Sequence, residues 1–187
     1  MVERSPERDA ALRAFLPYVD QHGWAWTALV ASGMDRLEAE LLFPGGAPDL
    51  LEAYCDLADR DMEAAGVADQ RLSQRVRGLI ALRLAQARPH RAAIRRAAGL
   101  FAIHPRLAAR CTARTVDTIW HAAGDTSADF SWYSKRAILA GVWTSTLLFW
   151  LSGAGEDEAN VLEFLDRRLA TVAGIGRLRA RLTAKAA

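Results

Sequence analysis

The chain has 187 residues, which suits one domain with a sizeable core, and 51% of them are hydrophobic, which excludes general disorder. Its net charge of +2 gives no strong pull toward nucleic acid or an anionic membrane, but the charge is unevenly spread. Residues 35–69 hold ten acids against Arg36 and Arg60, whereas residues 71–114 hold eleven arginines and no acid. Two readings follow: the two segments pack together and neutralise each other, or the second forms a basic face for anionic lipid or nucleic acid. The first is preferred. Cys55 and Cys111 lack CxxC spacing, so they are read as small core residues in a reducing compartment. The first fifteen residues mix acids with arginines and read as neither a secretory signal nor a transit peptide.

In chain order, residues 7–19 make a first helix that Pro17 ends or kinks. Residues 24–31 make a short second one, stopped at Ser32-Gly33. Asp35 caps a third, which runs to Phe43 and stops at Pro44-Gly45-Gly46. Residues 49–65 form a long amphipathic helix closed by Gly66. Residues 71–87 follow, with Leu72, Val76, Leu79, Ile80 and Leu84 inward and the arginines outward. Pro89 opens a helix to about Gly99, and Pro105 another to Ala123. After a central helix and the turn at 152–155, a helix spans 156–172, with Glu156, Asp157 and Glu158 suited to its positive end. Gly174 and Gly176 then loosen the chain before a short basic tail. No stretch alternates as a strand would, so the class is all-α.

Residues 125–151 are the least ordinary stretch. Asp129 is placed to cap the central helix, and from Ala137 to Leu151 there is no charge. On a helical wheel Trp132, Leu139, Trp143 and Trp150 fall within about 20° of one line. Ile138, Val142 and Phe149 take a second side, and Leu148 and Leu151 a third. A helix apolar all round is buried centrally, lies in a membrane, or walls a cavity for an oily ligand. The uncharged run spans roughly 22 Å, and a bilayer needs about 20 residues, so the helix is internal. Plain core with extra tryptophan and a ligand wall both remain open. Lys135 and Arg136 share the Trp132 side, where they cover that ring or form a basic rim.

Chemistry-bearing motifs are missing: there is no HExxH, CxxC, GxGxxG, P-loop or GxSxG. His22, His90, His104 and His121 are scattered. His121 follows Asp117 by one helical turn, a pair read as a surface hydrogen bond before a proton relay. No catalytic residue, metal site or cofactor is expected, and the chain is not expected to be an enzyme.

Residues 23–54 bring two short helices to a Gly turn, then an aromatic-Pro stop and a long helix. That rhythm resembles the DNA-binding head of TetR-type repressors. The would-be reading helix, however, holds Asp35, Glu38 and Glu40 against Arg36 alone, and phosphates would repel it. The reading is a TetR-repressor-like helical bundle with a degenerate helix-turn-helix head that binds no DNA. Residues 1–46 form the head, 47–173 a ligand-binding body and 174–187 a basic tail.

The stretch from Val116 to Leu169 resembles the coenzyme Q biosynthesis protein nine family. Its GD-x-S-x-DF-x-WY-x-KR core stands as Gly124-Asp125, Ser127, Asp129-Phe130, Trp132-Tyr133 and Lys135-Arg136. Phe164-Leu165-Asp166-Arg167-Arg168 is similar to a second block, and Gly23-Trp24 and Leu42-Phe43-Pro44 to the head. The resemblance implies a TetR-like homodimer that binds isoprenoid or quinone lipid and presents it to the di-iron demethoxyubiquinone hydroxylase. The partner surface it implies is Trp132, Tyr133 and Arg136. Membrane docking falls to the tail: Ile175, Leu178 and Leu182, with Arg177 and Arg181. The implied location is peripheral, on the inner face of a bacterial inner membrane or on the matrix side in a mitochondrion.

A polyprenyl tail needs an apolar cavity. The residues expected to line it are Trp120, Leu139, Val142, Trp143, Leu147 and Phe149. Two alternatives stand beside the lipid-presenting protein: a TetR-type transcriptional regulator with a hydrophobic effector pocket, and an enzyme of quinone modification.

Overall fold

A computed structural model describes residues 2–68, 71–125 and 131–185, with the side chains at 131, 132 and 173–185 left out of that description. The all-α expectation holds: the described residues are mostly helical and include no strand. Among the described residues ten α-helices follow one another: α1 (Pro6–Phe15), α2 (Val19–His22), α3 (Trp26–Ala31), α4 (Arg36–Leu42), α5 (Ala47–Ala65), α6 (Leu72–Ala87), α7 (Arg91–Ile103), α8 (Pro105–Ala122), α9 (Ser131–Leu151) and α10 (Glu158–Lys185).

Local chemistry accounts for most boundaries. Pro17 falls in a 3-10 turn, Leu16–Tyr18, which separates α1 from α2 as a missing N–H would. The Asp35 carboxylate accepts from the amides of Leu37 (2.8 Å) and Glu38 (3.3 Å) and so starts α4. Gly66 ends α5 at φ 60°, a left-handed conformation in which a Cβ would be strained. Three expectations fail. Pro89 sits in the 3-10 turn Arg88–His90 that precedes α7, and α7 continues past Gly99 to Ile103. Helix α10 runs unbroken through Gly174 and Gly176, at a propensity cost of about 1 kcal/mol each relative to Ala.

The charge asymmetry resolves into neutralising contacts. Helix α5, which carries much of the acid, packs between α6 and α8, which carry arginine. Arg110 donates to Glu52 at 2.9 Å, and Arg114 lies 3.9 Å from Asp56 and Asp59. Other arginines cap helices. Arg91 donates to the carbonyls of Trp150 (2.8 Å) and Ser152 (2.7 Å), and Arg95 to Leu151 (3.0 Å). Positive charge at the C-terminal end of α9 suits its dipole and satisfies its last carbonyls. The expectation that the α6 arginines point outward fails at Arg83, which is buried beside Asp59 (3.3 Å). Thr115 also donates to that carboxylate, at 2.9 Å. Burial pushes the Asp59 carboxyl up, and Arg83 and Thr115 oppose it.

Trp24 ties α1 to α5 and α7. Its ring lies 5.3 Å from both Phe15 and Tyr54, and its indole N–H donates to the Ala93 carbonyl at 2.8 Å. In the head, buried Arg8 donates to the Leu42 carbonyl, pairs with Asp49 at 2.6 Å and lies over the Phe43 ring at 4.3 Å. The Trp26 N–H meets the Phe43 carbonyl at 2.8 Å. The end of α4 is therefore fixed by polar anchors.

Candidate functional site

Helix α9 is uncharged from Ala137 to its end, and it packs against α6, α7, α8 and α10. Leu139, Val142, Trp143, Thr146 and Trp150 are buried. It is not enclosed on every side, contrary to the central-burial expectation: Ile138 is 45% and Leu148 57% exposed. Both positions adjoin empty space. Trp143, Thr144, Leu147 and Leu148 wall an inner cavity of about 160 Å³. Its other walls come from α5 to α8, among them Tyr54, Cys55, Arg83, Phe101 and Cys111. Ile138, Leu139 and Val142 wall an apolar groove of about 280 Å³, with Val76 of α6, Trp120 of α8 and Leu169 of α10. On a helix at 100° per residue these two sets occupy opposite flanks. An exposed apolar side chain thus marks each void, and exposed apolar surface of that kind calls for an explanation.

The inner cavity is apolar apart from a few groups. The Cys55 thiol hydrogen-bonds Cys111, which together with burial pushes it well above the ordinary thiol range. The same bond holds Cys111 below that range. Both thiols are free, and the pair is core lining, in line with the sequence reading. An enclosed apolar space of about 150 Å³ accepts a benzene-sized group. The inner cavity is therefore ring-sized, and anything longer has to continue elsewhere.

The C-terminal half of the chain also carries the sequence signature. The COQ9 family model matches residues 106–176, from α8 through α9 into α10. The chain resembles COQ9. It is 27% identical over 181 residues to the ubiquinone biosynthesis protein COQ9 of Rattus norvegicus, a mitochondrial protein, covering 88% of this chain and 58% of that one. The Homo sapiens COQ9 is 26% identical over 181 residues, covering 88% and 57%. A probable COQ9 of Dictyostelium discoideum is 46% identical over 54 residues, which is 29% of this chain and 18% of that protein. The chain thus spans little more than half the length of its full-length matches. A crystal structure of a TetR transcriptional regulator from Nitrosomonas europaea has the same fold, with a TM-score of 0.70 over 90% of this chain and 99% of that one. At 23% identity that likeness bears on fold alone, and it matches the expected TetR-like architecture.

The COQ9-like segment distributes the expected site residues unevenly. Trp120, Leu139 and Val142 line the groove, whereas Trp143 and Leu147 line the inner cavity. Phe149 lines neither, because its ring stacks on Phe164 at 4.3 Å with an interplanar angle of 4°. Lys135 covers Trp120, 6.0 Å from its ring, and lies 3.4 Å from Asp125. Arg136 is engaged by Asp117, on a shallower groove between α8 and α9. Asp117 is therefore committed to Arg136 rather than His121, which lies 3.6 Å from Glu63. Tyr133 is 72% exposed beside it. The Trp132 side chain and those of Ile175, Arg177, Leu178, Arg181 and Leu182 lie outside the described residues, as does Asp129.

Sequence reasoning missed Ile138, Leu148, Val76 and Leu169 as lining residues. Among the described residues no cluster of three His, Cys, Asp or Glu could hold a metal ion, and no helix is long and apolar enough to cross a membrane.

Proposed function

We propose that this chain is a lipid-binding accessory protein of ubiquinone biosynthesis. It holds an isoprenoid quinone intermediate beside α9 and presents it at a membrane surface to the di-iron hydroxylase acting on demethoxyubiquinone. The observation that carries the reading is apolar space on both flanks of a helix that is uncharged from Ala137 to Leu151, each void flagged by an exposed side chain, Ile138 or Leu148. Each methylene of a polyprenyl chain buried there contributes about 0.8 kcal/mol. The names of the COQ9 relatives supply the pathway.

In this reading Tyr133 and Arg136, with Trp132, face the hydroxylase, and the end of α10 rests on the bilayer. The protein works as a homodimer, peripheral on the inner face of a bacterial inner membrane or on the matrix side in a mitochondrion. It performs no chemistry itself. Native mass spectrometry of the purified protein is expected to show bound isoprenoid lipid, and quinone-bearing liposomes are expected to retain the protein. A chain that carries no lipid and ignores such liposomes is not a lipid carrier.

The regulator reading has the TetR fold and an apolar pocket in its favour. Against it, the only cation in α4, Arg36, is paired with Glu40 at 2.5 Å, leaving Asp35 and Glu38 facing any phosphate. A sequence-selective, salt-dependent operator shift would restore that reading.

A further inference from the structure

The lipid-carrier reading leaves the two thiols of the inner cavity without a task. Cys55 of α5 and Cys111 of α8 are far apart in sequence, and the packing of α5 on α8 brings them into hydrogen-bond contact. Both are free, both line the cavity, and Cys55 is only partly buried. The two sulfurs are not alike. Cys55 donates its S–H to Cys111, and the Nη2 of Arg114 lies 3.8 Å from the Cys111 sulfur. These two groups hold Cys111 below the ordinary thiol range, although burial, Glu52 and Asp59 oppose them. The thiolate is the reactive form of cysteine. A second thiol beside it is the arrangement that turns sulfur oxidation into a disulfide.

The cavity decides what reaches the pair. Its volume of about 160 Å³ exceeds the roughly 30 Å³ that one water occupies in the liquid, so it admits molecules of about that size. Leu148, 57% exposed, is one of its lining residues and places an edge of the void at the surface. The walls are mostly apolar, and the one guanidinium among them, Arg83, is paired with Asp59 at 3.3 Å. Such a space favours a small neutral oxidant over a charged one. Hydrogen peroxide is neutral and little larger than water.

We infer that Cys55 and Cys111 form a reversible oxidation site, in which Cys111 reacts with a small hydroperoxide entering the inner cavity and Cys55 resolves the product to a disulfide. The Cys111 thiolate attacks one peroxide oxygen, the O–O bond breaks, and a sulfenic acid forms. The departing hydroxide takes up the proton that Cys111 gave up and leaves as water. The Cys55 sulfur then attacks the Cys111 sulfur, the S–S bond forms, the S–O bond breaks, and a second water carries off the Cys55 proton. Two thiols and one peroxide become one disulfide and two waters. A dithiol reductant reverses the oxidation. The bond would tie α5 to α8, two walls of the inner cavity. The inference stands apart from the lipid-carrier reading: a chain that binds no lipid still forms the bond, and a lipid carrier that does not form it overturns the inference alone.

The test treats the full chain with hydrogen peroxide and follows intact mass and peptide maps, which separate cysteine from methionine oxidation. Wild type is expected to lose two hydrogens, about 2 Da, to yield a cross-linked Cys55–Cys111 peptide pair, and to recover both thiols with dithiothreitol. Both thiols still open to alkylation after treatment overturns the site. Cys55→Ala removes the resolving thiol and is expected to leave a sulfenic acid at Cys111 that dimedone traps. Absence of that adduct overturns the role of Cys111. Cys111→Ala is expected to slow thiol oxidation at least about tenfold, and oxidation of Cys55 at the wild-type rate reverses the two roles. The wild-type cross-link decides the pairing even if a variant fails to fold. Ala98→Leu narrows the void without touching either sulfur's charge partners and is expected to slow the reaction; an unchanged rate overturns the cavity as the route.

Discussion

Helices α4 and α9 stand near opposite ends of the chain and are built on opposite rules. Helix α4 is short, capped by Asp35 and closed off by polar anchors: Arg8 on the Leu42 carbonyl, Trp26 on the Phe43 carbonyl. Its surface carries Asp35, Glu38 and Glu40 against Arg36, and Leu37 and Leu41 are 65% and 73% exposed. Helix α9 carries no charge from Ala137 onward, and its neighbours leave about 160 Å³ empty on one flank and about 280 Å³ on the other. The first helix is defined by its surface charge, the second by the volume beside it.

Substitutions in the two regions separate these rules. The largest effect is expected in the body. Trp150 is 2% exposed at the end of α9, and Trp150→Ala should cost about 3–5 kcal/mol in urea unfolding, the range for emptying a large aromatic site. A loss under about 1 kcal/mol would mean that this end of α9 is not core. In the head the sensitive group is a charge. Arg8→Ala strands the Leu42 carbonyl and Asp49 together and should cost about 2–3 kcal/mol. If that variant is as stable as wild type, the head is held by apolar packing like the body, and the contrast disappears.

Much of this architecture is legible in the residues, because caps and stops are local. Asp35, Pro17 and Gly66 act on the backbone within a turn of themselves, and each does what its chemistry predicts. What is not legible depends on residues distant in sequence. Arg83 reads as outward because a lone guanidinium belongs in water, and only Asp59, brought alongside by α5, makes its burial tolerable. Phe149 reads as a cavity wall until Phe164 covers it. The contact of Lys135 with Trp120 on α8 likewise has no local sign, because the two meet only when α8 and α9 pack. For the voids the reason is more basic. A helix apolar on every side has no periodicity to say which flank is filled, because that depends on where its neighbours fail to meet. The lining of the inner cavity comes from five helices, and no single segment encodes it.

Ala98→Leu tests whether the inner void is real. Ala98 lines it from α7, and added methyl groups there regain missing contacts, so about 0.5–1 kcal/mol of stabilisation is expected by denaturant titration. Destabilisation by more than about 1 kcal/mol would point to an interior with no room to fill.

The smallest effect concerns how α10 is tied to α6, and its sign with pH is fixed. Arg77 donates to the Asp166 carboxylate at 2.5 and 2.9 Å, and that bond holds the carboxyl below its ordinary value of 3.8. A carboxyl whose folded pKa is depressed stabilises the protein fully above the unfolded value and stops doing so as pH falls through the folded one. The Asp166 side chain is 51% exposed, so solvent screening keeps the pair below about 1 kcal/mol. Asp166→Asn should therefore cost a constant few tenths of a kcal/mol between about pH 5 and 7. The gap between variant and wild type should close once the pH drops below 3.8. A gap that widens on acidification would show that Asp166 is not held by Arg77. The tie between α10 and the wall of the groove would then have to come from apolar contacts such as those of Leu165 and Leu169.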